Sequence, residues 1–321
     1  MSIISVEEAR RLSTEVLSAA GMDSREAQII TDILIEAEIR GRSTHGLIRL
    51  SGIAGRAKEH VNAKMSVVKE SDNYALVDGG GKFGYIAAHY AMKLAIEKSK
   101  KNGMALVGVN NSGHSGMVGY YARMALEHDL VGLAICNTRP MVAAWGGVEP
   151  VFGTNPIAVA IPSDGQPLVL DMSTSSVTFG DLLVAIREAK DLPENGALDS
   201  SGKPTVDPEE AKSGVFLPFG GHKGFGLGLI IQILAGALVD AEILKTGGIL
   251  LMSINPEIFL PVDKFRKQVA SYINFVKNSR KADGVREILI PGERSERHKR
   301  KCLKNGISVD DDLLEQIRRL F

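Results

Sequence analysis

The chain has 321 residues, 44 % of them hydrophobic, with Lys+Arg and Asp+Glu both at 38. This is a composition for a folded protein with a sizeable core and excludes a disordered chain. Zero net charge gives no footprint for nucleic acid or a membrane surface. Two cysteines, Cys136 and Cys302, fit a reducing cytoplasm better than a disulfide framework. The start, Met-Ser-Ile-Ile-Ser, has no basic region ahead of a long apolar run, so no signal peptide is expected.

Ser5-Val-Glu-Glu8 is a capping box, and an amphipathic helix is expected to follow to Ala20. Asp23-Ser-Arg-Glu26 starts a second helix, with Ala27, Ile30, Ile33, Leu34 and Ala37 on one face and an end near Gly41. A third is expected over Leu47–Lys58. Between the second and third lies Arg42-Ser-Thr-His-Gly46. From Met65 the pattern changes. Ser66–Lys69 and Tyr74–Val77 read as strands, Asp78–Gly81 as a turn and Ala87–Lys101 as a helix. Three short β-branched apolar runs follow, at Ala105–Val109, Leu130–Ile135 and Ile157–Ile161, with a helix at Gly116–Glu127 between the first two. Each is bordered by polar or glycine-rich sequence, which is where α/β sheets place their sites.

Leu168–Ser176 is a strand running into a hydroxyl-rich end, and Glu194–Pro208 reads as a surface loop. The run Gly224–Val239, shorter than a membrane span and interrupted by Gln232, reads as a buried core helix. Gly248–Ile254 is a strand, Val262–Asn278 a helix, and Leu289-Ile290 ends a last short strand before helices at Ser295–Asn305 and Asp310–Phe321. Helices at both ends and alternating strands and helices between them give an α/β class. The expected division is a helical domain from 1–64 and 279–321 and an α/β domain from 65–278.

Of seven histidines, His60, His89, His128 and His298 have no special company, whereas His45, His114 and His222 sit in Gly/Ser loops. Histidine is the natural proton donor near neutral pH. A zinc site built on these histidines and Asp171 lacks the usual ligand spacings, so no metal is expected. Ser112-Gly-His-Ser-Gly is the wrong order for a nucleophile elbow. A nicotinamide site must do without the Rossmann fingerprint. Gly79-Gly-Gly-Lys-Phe-Gly84 fits its letters but has no acidic residue at the right distance. A dinucleotide would then rest on backbone amides and hydroxyls such as Ser173–Ser176 and His222–Gly224. Arg49, four residues after His45, lies on the same side of a helical turn, suited to a carboxylate beside a proton donor. The basic run Arg294–Lys304 reads as a short solvated helix, not a nucleic-acid contact.

Six motifs occur in order: Ser-Thr-His-Gly with Arg49; Asn-Ser-Gly-His-Ser-Gly; Trp-Gly-Gly-Val-Glu-Pro with Gly-Thr-Asn-Pro; Leu-Asp-Met-Ser-Thr-Ser; Gly-Gly-His-Lys-Gly-Phe-Gly-Leu; and Ile-Pro-Gly-Glu. Together they resemble the type-2 malate/L-lactate dehydrogenase family over nearly the whole chain. That family includes L-sulfolactate, ureidoglycolate and diketogulonate dehydrogenases and piperideine-carboxylate reductase. The resemblance implies a non-Rossmann α/β fold, a homodimer, NAD or NADP, and a small 2-oxo or 2-hydroxy acid as the partner molecule. It implies His45 as proton donor, with Arg49 and His114 on the substrate. It places the cofactor against Leu170, Asp171, Met172, Ser173, Thr174, Ser175, Ser176, His222, Lys223, Gly292, Glu293 and Arg294. Two departures stand out: a short passage from Val239 to Gly247-Gly248, and Thr178-Phe-Gly-Asp181 where small and basic residues are usual. They keep open a cyclic imine-acid reductase or a relative that binds without turnover.

Overall fold

The computed structural model describes residues 1–60, 62–244 and 247–320. At its centre is a seven-stranded mixed sheet. In spatial order the strands are Ser66–Glu70, Tyr74–Asp78, Met104–Asn110, Ile249–Ile254, Val131–Cys136, Ile157–Ile161 and Leu168–Met172. Tyr74–Asp78 and Met104–Asn110 are parallel, bridged by the helix Gly84–Asn102; all other neighbours are antiparallel. Alternation explains the strands: Ala105, Val107 and Val109 are buried. The helix lays Ala87, Ala88, Ala91 and Ala95 inward, and such small side chains let it approach the sheet closely. Ile249–Ile254 arrives late in the chain and slots between two earlier strands, with Leu251 opposite both Val107 and Ala134.

The chain ends meet. Ser2–Ile4 pairs antiparallel with Ile307–Val309. The strand expected at Leu289-Ile290 is absent; that stretch is irregular. Three-residue strands whose partner lies at the other terminus carry too little local pattern to be read. The helix Val6–Ala19 starts where Ser5 Oγ accepts from Glu8 N at 3.0 Å, and Ser24–Ile39 starts on the Asp23 carboxylate. Val16, Leu17, Ile30, Ile33 and Leu34 are fully buried and join the sheet's apolar residues in one core. Each such side chain contributes about 1.5–3 kcal/mol.

A second core, around Val142, Phe152, Val177, Leu182 and Phe216, belongs to a small five-stranded sheet. The reading of Glu194–Pro208 as a plain loop is corrected here. It contains strands Ala197–Leu198 and Pro204–Thr205, the first of which also pairs with Val215–Phe216. Phe179–Glu188 is a helix that pattern reading passed over. It starts where Thr178 and Asp181 each bond the other's backbone N–H.

Two further expectations change. Leu47–Lys58 is not one helix but a tight turn at Leu47–Arg49 and short helices at Leu50–Gly55 and Ala57–His60. The Gly224–Val239 run is not buried all round. Its helix, His222–Leu234, buries Gly224, Gly228, Ile231 and Gln232 and exposes Leu229, Ile230 and Ile233. By length and apolar content alone His222–Val239 could span a membrane. Here Ile231, Ala235 and Val239 pack on Ile135 and Leu250 of the sheet.

Candidate active site

Strand register gathers the polar loops at one edge of the large sheet. Ile249 stands opposite both Val109 and Cys136, and Ile157 opposite both Ile135 and Met172. Asn110–Gly116, Asn137–Pro140, Gly247-Gly248, Thr154–Pro156 and Ser173–Ser176 therefore leave from the same side. Asn155, fully buried, ties them together. Its Nδ2 donates to Gly228 O (2.9 Å) and Gln232 Oε1 (2.7 Å), and its Oδ1 accepts from Thr138 N (3.0 Å). Thr174 Oγ1 is spent on the carbonyls of Thr154 and Asn155.

Opposite this edge stand two successive tight turns, Ser43–His45 and Leu47–Arg49. Gly46 is required between them, because a Cβ there would lie 1.9 Å from the Glu38 carboxylate. Glu38 accepts from Leu47 N at 2.8 Å, and burial pushes its pKa up to about 7. The turns aim His45 at His114, with ring centroids 6.0 Å apart and planes 24° from parallel. Burial, then the charges of Arg49 and Arg42, hold His45 down to about 4; the Asp181 carboxylate acts the other way. Burial, then His45, Arg49 and Arg56, hold His114 down to about 3. Both rings are thus neutral near pH 7. His114 Nδ1 accepts from Gly116 N at 3.0 Å, which puts its proton on Nε2. His45 Nδ1 meets the Thr44 hydroxyl at 3.1 Å, a partner able to donate or accept. Arg49 Nε donates to Thr44 O at 2.6 Å, so its two terminal nitrogens remain for a ligand.

These groups line a cavity of about 720 Å³ together with Asp171, Met172, Ser173 and Ser175. A neighbouring cavity of about 490 Å³ shares Arg42, Met117 and Asp171 with it and adds Leu170, Gly292 and Arg294. Burial raises the Asp171 pKa, against the pull of Arg42 and Arg123. Other expected cofactor contacts lie outside both cavities. Thr174 is buried and bonded; Ser176 donates its N–H to Leu217 O; His222 and Lys223 are exposed at the start of their helix. The Glu293 carboxylate pairs with Lys277 and accepts from Ile290 N. Sequence reading passed over Tyr85, Arg56, Thr154 and Arg139 as cavity residues. Their only sequence signal is proximity to the polar loops, since the fold brings them in from four separate segments.

The model of the malate/L-lactate dehydrogenase family matches residues 4–318. The malate/(S)-sulfolactate dehydrogenase of Methanothermus fervidus is 40 % identical, over 99 % of this chain and 97 % of that protein. Among solved structures, the malate dehydrogenase of Entamoeba histolytica superposes with a TM-score of 0.96 at 31 % identity, covering 99 % of this chain and 97 % of that one. The sulfolactate dehydrogenase of Methanocaldococcus jannaschii gives 0.92 at 36 % identity, covering 99 % and 96 %. Matched from end to end in both sequence and fold, the chain belongs to the malate/L-lactate dehydrogenase family.

Proposed function

We propose that this protein is a nicotinamide-dependent dehydrogenase acting at C2 of a small 2-oxo or 2-hydroxy acid. The observation that carries the reading is the pair of neutral histidines beside Arg49 in one cavity. The terminal nitrogens of Arg49 suit a two-pronged bond to the acid's carboxylate. That bond fixes the adjacent carbonyl between the two rings. His114 offers its Nε2–H to the carbonyl oxygen as a fixed donor. It cannot take a second proton on Nδ1 without losing the Gly116 N–H. His45 has no such restriction, because the Thr44 hydroxyl serves either tautomer. His45 is therefore the group that gives and takes the proton. A bound anion next to His45 offsets the depression caused by Arg49 and Arg42 and brings its pKa toward neutrality.

The lining of the neighbouring cavity suits the phosphates of a dinucleotide. Arg42, Arg123 and Arg294 line it against a single acidic residue, Asp171, and Gly292, at φ +98°, opens the helix Glu293–Asn305 into it. Arg294, Arg42 and the helix N-terminus would hold the phosphates. When bound, NAD or NADP supplies or accepts the hydride. Either cofactor is expected to serve, and a preference above about a hundredfold, roughly 2.7 kcal/mol, would refute that. The exposed face Leu229, Ile230, Ile233 and Leu238 supports a homodimer. Two buried free cysteines support a cytoplasmic setting.

The test is oxidation of NADH and NADPH with oxaloacetate, pyruvate, sulfopyruvate and a cyclic imine acid, beside His45→Ala. The variant should lower kcat about 10²–10⁴-fold with KM nearly unchanged. No turnover with any of these substrates would sink the reading, and cofactor binding without turnover would favour a binding protein.

A further inference from the structure

The charges in the larger cavity do not balance for a monocarboxylate. Arg42, Arg49, Arg56 and Arg139 line it against two carboxylates, Asp171 and Asp181. Four positive and two negative groups leave two positive charges. Arg42 donates to Asp171 O at 3.2 Å and is shared with the neighbouring cavity. Asp181 is held in its capping box, accepting from Thr178 N (3.0 Å) and Thr178 Oγ1 (2.7 Å). Arg49 is the partner for one carboxylate. Arg56 donates its Nε to Gly52 O, and its guanidinium lies 5.8 Å from the centre of the Phe83 ring.

Arg139 is different. Among the described residues its guanidinium engages no carboxylate and no hydrogen-bond acceptor; it stands over the Phe179 ring, with Cζ 5.9 Å from the centroid. That separation is within cation–π reach. Phe179 is the first residue of its helix, so the capping box of Thr178 and Asp181 sets where the ring stands. Pro140 follows Arg139 and restricts its backbone to extended conformations. An exposed guanidinium on the cavity wall, set against a ring face and on a restricted backbone, with no acceptor taking its N–H groups among the described residues, is arranged for an anion. It also gives a role to Phe179-Gly-Asp181, the stretch that departs from the usual family pattern.

We infer that Arg139, supported by Phe179, is the specificity-determining residue that binds a second anionic group on the substrate, so that the site takes a dianionic 2-oxo acid in preference to a monocarboxylate. This rests on the proposed hydride transfer at C2, with Arg49 holding the first carboxylate.

The experiment compares kcat/KM for oxaloacetate and for pyruvate in wild type, Arg139→Gln, Arg139→Lys, Phe179→Leu and Arg56→Gln, with Lys203→Gln as a remote charge control. Wild type should favour oxaloacetate. Arg139→Gln should lower the oxaloacetate-to-pyruvate ratio by about 100-fold, the loss of one two-pronged charged contact, chiefly through KM. Arg139→Lys keeps the charge without the fork and should fall between. Phe179→Leu should lower the ratio by a smaller factor, and Lys203→Gln should leave it alone. Affinities for malate and lactate, measured calorimetrically with reduced cofactor so that no turnover occurs, should change in parallel. The inference is overturned if wild type uses both oxo acids equally, if Arg139→Gln keeps the ratio, or if Arg56→Gln alone collapses it. Turnover of neither acid by wild type, with neither hydroxy acid bound, would instead remove the dehydrogenase reading itself.

Discussion

Glu38→Gln tests the support beneath the His45–Arg49 turns. The Glu38 carboxyl accepts from Leu47 N and is enclosed by Gly46, so Gln keeps the acceptor and removes only the charge. Burial raises the folded pKa to about 7, from 4.5 in the unfolded chain. For a carboxyl raised in this way the sign is opposite to the usual carboxylate. Its contribution is fully present below pH 4.5 and is lost as pH rises, because the unfolded chain ionises first. The loss saturates once pH passes about 7. A shift of roughly 2.5 units corresponds to about 3 kcal/mol at pH 8. At about 2 cal/mol/K per residue, unfolding entropy for a chain this long converts that to about 4–5 °C in Tm. Thermal unfolding of both proteins from pH 4.5 to 9 is the assay. The two should coincide near pH 4.5 and separate by about that amount by pH 8, with Glu38→Gln the more stable. A gap independent of pH, or a variant less stable at pH 8, would refute the argument that burial raises the pKa of this carboxyl in the fold.

Other outcomes follow from the same geometry. His45 and His114 are held at about 4 and about 3, below the ordinary 6.5, so the unfolded chain protonates first on acidification. Their stability contribution is present above about pH 6.5 and falls as pH drops toward 4; His45→Gln with His114→Gln should flatten that limb in pH-dependent unfolding. Arg49→Lys should raise KM and lower kcat in steady-state assays, since it loses the fork. Gly180→Ala would put a Cβ 2.7 Å from Thr44 Cβ. It should cost about 1–3 kcal/mol of stability and, by displacing the residue that bonds both His45 and Arg49, reduce kcat/KM as well. Asn155→Ala takes away the donor to Gln232 Oε1 and the acceptor of Thr138 N in a buried setting; denaturant unfolding should show a loss of about 2–5 kcal/mol.

Much was legible in the residues themselves. Ser5 and Asp23 start their helices as their side-chain chemistry dictates, because a cap acts over three residues. Short β-branched apolar runs marked Ala105–Val109 and Ile157–Ile161, and the histidine loops stood out because glycine and serine surround them. The family followed from motifs kept in order along the chain. The tertiary structure alone decided what depends on distant partners. It paired the two chain ends, set Ile249–Ile254 between strands more than a hundred residues earlier, and left one face of the Gly224–Val239 run exposed. It also chose among the polar residues. Thr174, which reads as a ligand hydroxyl, is consumed by backbone carbonyls, whereas Arg139, which the sequence does not single out, lines the cavity with His45 and His114. A local pattern reports which side chains can bond or ionise. Only the register of the sheet determines which of them have already been satisfied by the protein and which are left for a ligand.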